Sequence, residues 1–310
     1  MTDGVIADKD IRDAFFDEVY EIGSRDKSVI IMSNDMDVVG LQRFKGNFPD
    51  RFINVGVAEQ NMINVAAGLA SCGKKPLVYG ITSFVSLRCY EQIKFNLCSM
   101  KLPVVIVGMG TGFSFGFDGP THHAIHDIGA IRVLPEIEIL NPSDAVSAAR
   151  FAHLAFGVTK PVYIRIDKGV VPALHSTDED YSAGFKLLRK GGETCIVSTG
   201  NLSHEAVKFV DSIDESVAVV DVYRLKPINK LFLHRLLDRF SRIIVFEENA
   251  GALSTIVSEI IAKYSISCRF KSVSLKNKEY LYYGDRAWFQ DYFGINKSNL
   301  LKVLDSCAYD

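Results

Sequence analysis

The stretch RFINVGVAEQNMINVAAGLA, residues 51–70, sets a single carboxylate, Glu59, at the mouth of an apolar segment. Ahead of it lie a short strand-like run (51–55) and Gly56. Behind it come Met62, Ile63, Val65, Ala66, Ala67, Leu69 and Ala70, which read as apolar all round, too much so for a surface helix. Strand, glycine and buried helix make one βα unit of a layered α/β fold. Most glutamates in a first helical turn simply stabilise the helix dipole. A carboxyl in so dry a place also has its pKa pushed upward, and is suited to sharing a proton.

The same alternation runs outward from this unit. Strands are predicted at 28–32, 76–79, 103–108, 138–140 and 161–166, and helices at 11–24, 59–71, 87–99 and 143–156. NPSD at 141–144 is a helix start, with Ser143 the expected cap. Strands alternating with helices predict an open, mostly parallel sheet covered on both faces. Between 168 and 192 the pattern lapses into proline, acids and glycines. It then resumes with strands at 194–199, 217–222 and 242–248 and helices at 203–213 and 229–240. The predicted division is 1–175, a linker at 176–192, and a smaller α/β domain at 193–310. Two open α/β domains are thus expected. The aromatic segment 280–295 reads as packing or interface, and FEENAG (246–251) as caps or subunit contacts.

Composition excludes several classes of function. With 48% apolar and 23% charged residues and a net charge of -2, nothing calls for nucleic acid or an anionic membrane as partner. No apolar run approaches the roughly 20 residues of a membrane span, and the acidic, polar start MTDGVIADKD is unlike a secretory signal. The six cysteines are scattered without a CxxC pair, which points away from disulfides and zinc and toward a reducing cytoplasm.

Two further stretches bear chemistry. GMGTGFSFGFDGPTHHAIHDIGAIR, residues 108–132, follows a buried strand and brings Asp118, His122, His123, His126 and Asp127 within ten residues. In open α/β sheets this end of a strand is where ligands bind. A zinc site is the obvious rival reading, but no matching third-ligand motif accompanies it, so no metal ligands are assigned. The flanking glycines suit a loop that closes tightly over a small ligand. In YGITSFVSLRCYEQIKFNLC (79–98), Phe84 falls past a strand end among polar residues, where it could stack on a flat ring; Tyr90 and Phe95 are aromatics of the same stretch.

Taken together and in this order, the three stretches resemble the C-terminal half of transketolases, and the matching parts of 1-deoxyxylulose-5-phosphate synthase and of 2-oxo-acid dehydrogenase beta subunits. The resemblance covers nearly the whole chain, most densely 30–170. It implies thiamine diphosphate chemistry, with residues 1–175 as a pyrimidine-binding domain and 193–310 as a transketolase C-terminal domain. Glu59 matches the glutamate that hydrogen-bonds a ring nitrogen of the aminopyrimidine and shares its proton. Phe84 matches the stacking aromatic, with Tyr90 beside it and Asp35, in MSNDMD, near the thiazolium ring. Asp118 matches a residue that binds a donor hydroxyl, and His122 a catalytic histidine that contacts the substrate near the reacting carbons. His123 and His126 either face the substrate or support the residues that do, and Arg165, in VYIRIDKG, lies near an arginine that grips substrate phosphate.

Two departures qualify the resemblance. Gly110 stands where transketolases acting on sugar phosphates carry a further substrate histidine, which weakens the usual phosphate grip. The GDG motif that holds the diphosphate and its Mg2+ is missing from this sequence. The resemblance therefore implies one subunit of a split transketolase. A separate N-terminal subunit would bring the GDG motif and the metal ligands, completing a heterotetramer that transfers a two-carbon ketol unit between sugars. The alternatives are a 2-oxo-acid dehydrogenase beta subunit, a deoxyxylulose-phosphate-synthase-like enzyme, or an α/β scaffold that has lost its chemistry.

Overall fold

The computed structural model describes residue 6, residues 8–213 and residues 215–309, with side chains described to residue 306; Cys307 lies beyond them. The chain packs as two compact units, one formed by residues up to 111 with 130–179, the other by 112–129 with those from 180 onward. Among the described residues no helix is long and apolar enough to cross a membrane.

The first unit is built on strands β1 (Val29–Ser33), β2 (Phe52–Asn54), β3 (Lys75–Ile81), β4 (Val105–Met109), β5 (Glu138–Leu140) and β6 (Val162–Ile166). They run in the order β5-β6-β4-β3-β1-β2, every pair parallel. Strands β1, β4 and β6 (VIIMS, VIVGM, VYIRI) are buried at every position, as a sheet covered on both faces requires. The helix Ile11–Arg25 starts at Asp10, whose side chain accepts from Arg12 N, and buries Phe15, Phe16 and Val19. The helix Ala145–Gly157 is capped by Asp144 rather than by Ser143 as predicted. Asp144 accepts from Ser147 N at 2.7 Å, and Ser147 Oγ accepts from Asp144 N, a reciprocal capping box.

Two predicted helices differ in detail. Glu59–Ser71 is helical as expected, but it is not apolar all round. Met62, Ile63, Ala66, Ala67 and Ala70 face the core, while Asn61, Asn64, Val65 and Gly68 are exposed. The single helix predicted at 87–99 is instead a short helix Thr82–Ser86, a turn at 87–89, one turn at Tyr90–Gln92 and a wide π-type turn Ile93–Ser99. Phe84 therefore sits on a helix, not in a loop.

The second unit holds β7 (Phe185–Arg189), β8 (Thr194–Ser198), β9 (Val217–Val222), β10 (Arg224–Lys226), β11 (Arg242–Phe246) and β12 (Arg269–Val273). Its sheet has the order β12-β11-β8-β9-β7, parallel except where β7 pairs with β9. Strand β7 lies inside the stretch predicted as linker. Its partial burial, with two basic residues in FKLLR, is that of an edge strand and gives a weak sequence signal. Residues 112–129, placed in the first domain by the linear division, pack with this unit because their rings join those of 280–293.

Candidate active site

Three strand ends meet around Glu59. The residue opens the helix that follows β2, Asn34 follows β1, and Arg88 occupies the turn beyond the short helix after β3. The strand order reverses at β1, which pairs with β2 on one side and β3 on the other, so this is the crevice where open α/β sheets bind ligands. Glu59 is only 3% exposed. Asn34 Nδ2 donates to its Oε1 at 2.8 Å, and Arg88 Nη1 to its Oε2 at 2.8 Å. Burial pushes the Glu59 carboxyl up, but its own backbone N–H, Asn34 and Arg88 outweigh that, and the net shift is downward. The upward shift expected from the apolar run is thus corrected: its own backbone N–H and two side-chain donors from other strand ends reverse it.

The rest of the crevice is polar and aromatic. Asn54 Oδ1 accepts from the backbone N–H of Asp35 and of Gly56, both at 3.0 Å, which fixes the two loops to each other. Asp35 is exposed and, with φ of 63°, lies in the left-handed region that non-glycine residues rarely adopt. The Arg88 guanidinium lies over the Phe84 ring, 4.0 Å from its centroid. Tyr90 is half-buried at the start of its one-turn helix. Among the described residues, Asn34 Oδ1 and Thr82 Oγ1 are buried without a hydrogen-bond partner. A carboxylate, an unsatisfied acceptor and an aromatic face together suit an amino-substituted nitrogen heterocycle.

The histidine loop has a different setting, within the second unit. Gly112 and Ala124 exchange both backbone hydrogen bonds, closing the loop. Phe113 stacks on Phe289 at 4.2 Å, and His123 packs edge-on against both rings. A Cβ on Gly112 would come within 1.8 Å of Glu248, on Gly116 within 2.4 Å of the Gly284 carbonyl, and on Gly119 within 2.3 Å of Tyr283. These glycines serve close packing, Gly112 against Glu248 and Gly116 and Gly119 against the 280–293 segment. Asp118 is exposed, while His122 is half-buried with Nδ1 at 3.0 Å from Thr121 Oγ1. His123 is buried, and that burial pushes its pKa down to about 4. His126 is exposed and Asp127 buried.

Arg165 is 2% exposed, with Nη1 at 3.4 Å from Asn141 Oδ1, tying β6 to the 141–144 turn. Among the described residues no group of three or more His, Cys, Asp or Glu side chains is arranged to hold a metal ion. Glu247 accepts from Leu253 N at 2.7 Å and Ser254 N at 2.9 Å, so the FEENAG acid is a cap on the helix Ala252–Tyr264. Sequence reasoning missed Asn34 and Arg88. The available signals were Arg88 four residues beyond Phe84, and Asn34 as the first residue past a buried strand.

Known proteins share this sequence pattern and fold. The family model for the transketolase pyrimidine-binding domain matches residues 7–173, and that for the transketolase C-terminal domain matches 184–300. The chain is 30% identical to a subunit of an apulose-4-phosphate transketolase of Actinobacillus succinogenes, over 89% of this chain and 90% of that protein. It is 33% identical to a 1-deoxy-D-xylulose-5-phosphate synthase of Lawsonia intracellularis, over 81% of this chain but only 40% of that longer protein. A solved split-gene transketolase, an inactive beta4 tetramer, superposes with a TM-score of 0.84 at 26% identity, covering 96% of this chain and 97% of that one. A transketolase from Pichia stipitis shares the fold at 18% identity and a TM-score of 0.78, covering 96% of this chain and 46% of its own. The chain belongs to the transketolase family, whose pyrimidine-binding and C-terminal domains it carries.

Proposed function

We propose that this chain is the C-terminal subunit of a split, thiamine diphosphate-dependent transketolase that moves a two-carbon ketol unit from a ketose to an aldose. The observation that carries the reading is Glu59, a carboxylate 3% exposed at the sheet's switch point, with an aromatic ring and a buried, unsatisfied acceptor nearby in the chain's fold. When bound, the cofactor would supply the electron sink for breaking the bond beside the ketose carbonyl. Glu59 would hold and exchange a proton at the aminopyrimidine ring nitrogen, in a site dry enough that water does not compete. Phe84 would stack on the ring, with Asn34 Oδ1 as an acceptor for its amino group and Tyr90 and Asp35 lining the crevice. Asp118 and His122 would bind sugar hydroxyls. His123 and Arg165, both buried, would serve as supports for their loops.

The missing GDG motif supports a second, N-terminal chain that brings the diphosphate and Mg2+ ligands, in a heterotetramer. Two relatives bear the names of single subunits of an apulose-4-phosphate transketolase, and the split-gene neighbour is inactive as a beta-only tetramer; both support the same division of labour. The names of those relatives also make ketose phosphates of the apulose type the first donors to test, although Gly110 replaces one histidine of the usual phosphate grip. A cytoplasmic setting fits the scattered cysteines, which include no CxxC pair.

The test is calorimetric titration of thiamine diphosphate with Mg2+ into the chain alone and into its mixture with a GDG-bearing partner. Binding and ketol transfer only in the mixture, both lost in Glu59→Gln, are the expected results. Tight binding and full turnover by the chain alone would refute the split.

A further inference from the structure

We propose that Arg88 is a built-in placeholder for the aminopyrimidine: its guanidinium takes both contacts the ring would make, and it must swing out before the ring can seat. The inference rests on the reading of Glu59 and Phe84 as the pyrimidine-binding pair. A guanidinium is a flat, delocalised group with N–H donors in its plane, so it can hydrogen-bond a carboxylate edge-on while stacking on a ring face. Arg88 does both, at 2.8 Å from Glu59 Oε2 and 4.0 Å from the Phe84 centroid. The other carboxylate oxygen is already engaged by Asn34. An incoming planar heterocycle therefore meets the same oxygen and the same ring face, and the two occupants exclude each other.

The local fold lets the arginine leave. Its side chain is 43% exposed although its partner is 3% exposed, so water reaches one end of the pair only. Arg88 lies in the turn at 87–89, between two short helices and ahead of a π-type turn, where backbone is not committed to one continuous helix. Gln60 Nε2 holds the Arg88 carbonyl at 3.1 Å, so the side chain can swing while the backbone stays anchored beside the Glu59 helix.

The exchange also suits the chemistry. With Arg88 in place, Glu59 is held as a bare carboxylate by a full positive charge. Removing that charge takes away one of the groups that hold the carboxyl down and moves it toward the protonated form, the one that can share a proton with a ring nitrogen. While it stays, the cation spares the crevice an uncompensated buried charge.

The test uses the full chain mixed with its GDG-bearing partner and the cofactor's pyrimidine half, 4-amino-5-hydroxymethyl-2-methylpyrimidine, titrated by calorimetry into mixtures made with wild type, Arg88→Ala, Arg88→Lys and Glu59→Gln. If Arg88 fills the place nine-tenths of the time or more, removing it tightens binding by at least about tenfold. Lysine, which pairs but cannot stack as a plane, should fall between wild type and alanine. Arg88→Ala binding no tighter than wild type, with Glu59→Gln still impaired, overturns the placeholder and leaves the pyrimidine site standing. No binding by Arg88→Ala overturns it as well. Glu59→Gln binding as well as wild type would remove the site reading itself.

Discussion

Replacing Glu248 with alanine should loosen the histidine loop without touching it chemically. Glu248 follows β11, and its carboxylate accepts from Arg286 Nη2 at 2.6 Å and Nε at 2.9 Å and from Gln290 Nε2 at 2.9 Å. The residue is 5% exposed, and the Arg286 side chain 20%. Gly112 lies so close to this carboxylate that it leaves no room for a Cβ. Removing one partner of a buried ion pair costs roughly 3–5 kcal/mol. Because Arg286 keeps some contact with water, the low end, about 3 kcal/mol, is expected. At roughly 2–4 °C per kcal/mol for a domain of this size, the melting temperature should drop by about 6–12 °C. Trp288 is the chain's single tryptophan and lies in the helix Arg286–Tyr292, so urea denaturation followed by its fluorescence reports on this unit. Glu248→Ala/Arg286→Met should be less destabilised than the sum of its single changes, by about 2 kcal/mol, since the double change strands no charge. A loss under about 1 kcal/mol for Glu248→Ala, or simple additivity in the cycle, would refute the reasoning.

Gly116→Ala should cost about 2–3 kcal/mol by overpacking, because its Cβ meets the Gly284 carbonyl, which is backbone and cannot rotate away; the Trp288 fluorescence transition measures it. Asp144→Ala removes the acceptor for Ser147 N, and for Leu174 N at 2.6 Å and His175 N at 2.8 Å. With the donors left buried, a loss of about 3 kcal/mol is expected in denaturation followed by circular dichroism. His123 titrates near 6.5 in the unfolded chain and about 4 in the folded one. Between those values the unfolded state binds the proton first, so stability falls as pH drops through that window, by up to about 3 kcal/mol. His123→Phe should flatten this fall between pH 7 and 4.5, and an unchanged slope would show that another group causes it.

Much of the α/β alternation was legible because buried parallel strands are short β-branched runs bounded by turns, as in VIIMS, VIVGM and VAVVDV. What escaped was set by tertiary context. Strand β7 has an edge strand's mixed composition. The break at 87–89 carries no proline or glycine to announce it. The membership of residues 112–129 depends on rings nearly two hundred residues away, which no local pattern reveals.

The carboxylate shows the same limit in chemical form. A neighbouring apolar run predicts a raised pKa for Glu59, since local sequence displays the burial but not the donors. Its side-chain partners Asn34 and Arg88 are 25 and 29 residues away along the chain. They arrive only because the sheet sets β2, β1 and β3 side by side. Burial alone would push the acid's pKa up; its own backbone N–H, Asn34 and Arg88 together hold it down. Of these two donors, only Arg88 carries charge and reaches water. Asn34 is buried and neutral, so it can stay at Oε1 whichever proton state Glu59 adopts. Arg88→Ala, by removing the one charged donor, should raise the Glu59 pKa, and Asn34→Ala, by removing the donor at the other oxygen, should raise it as well.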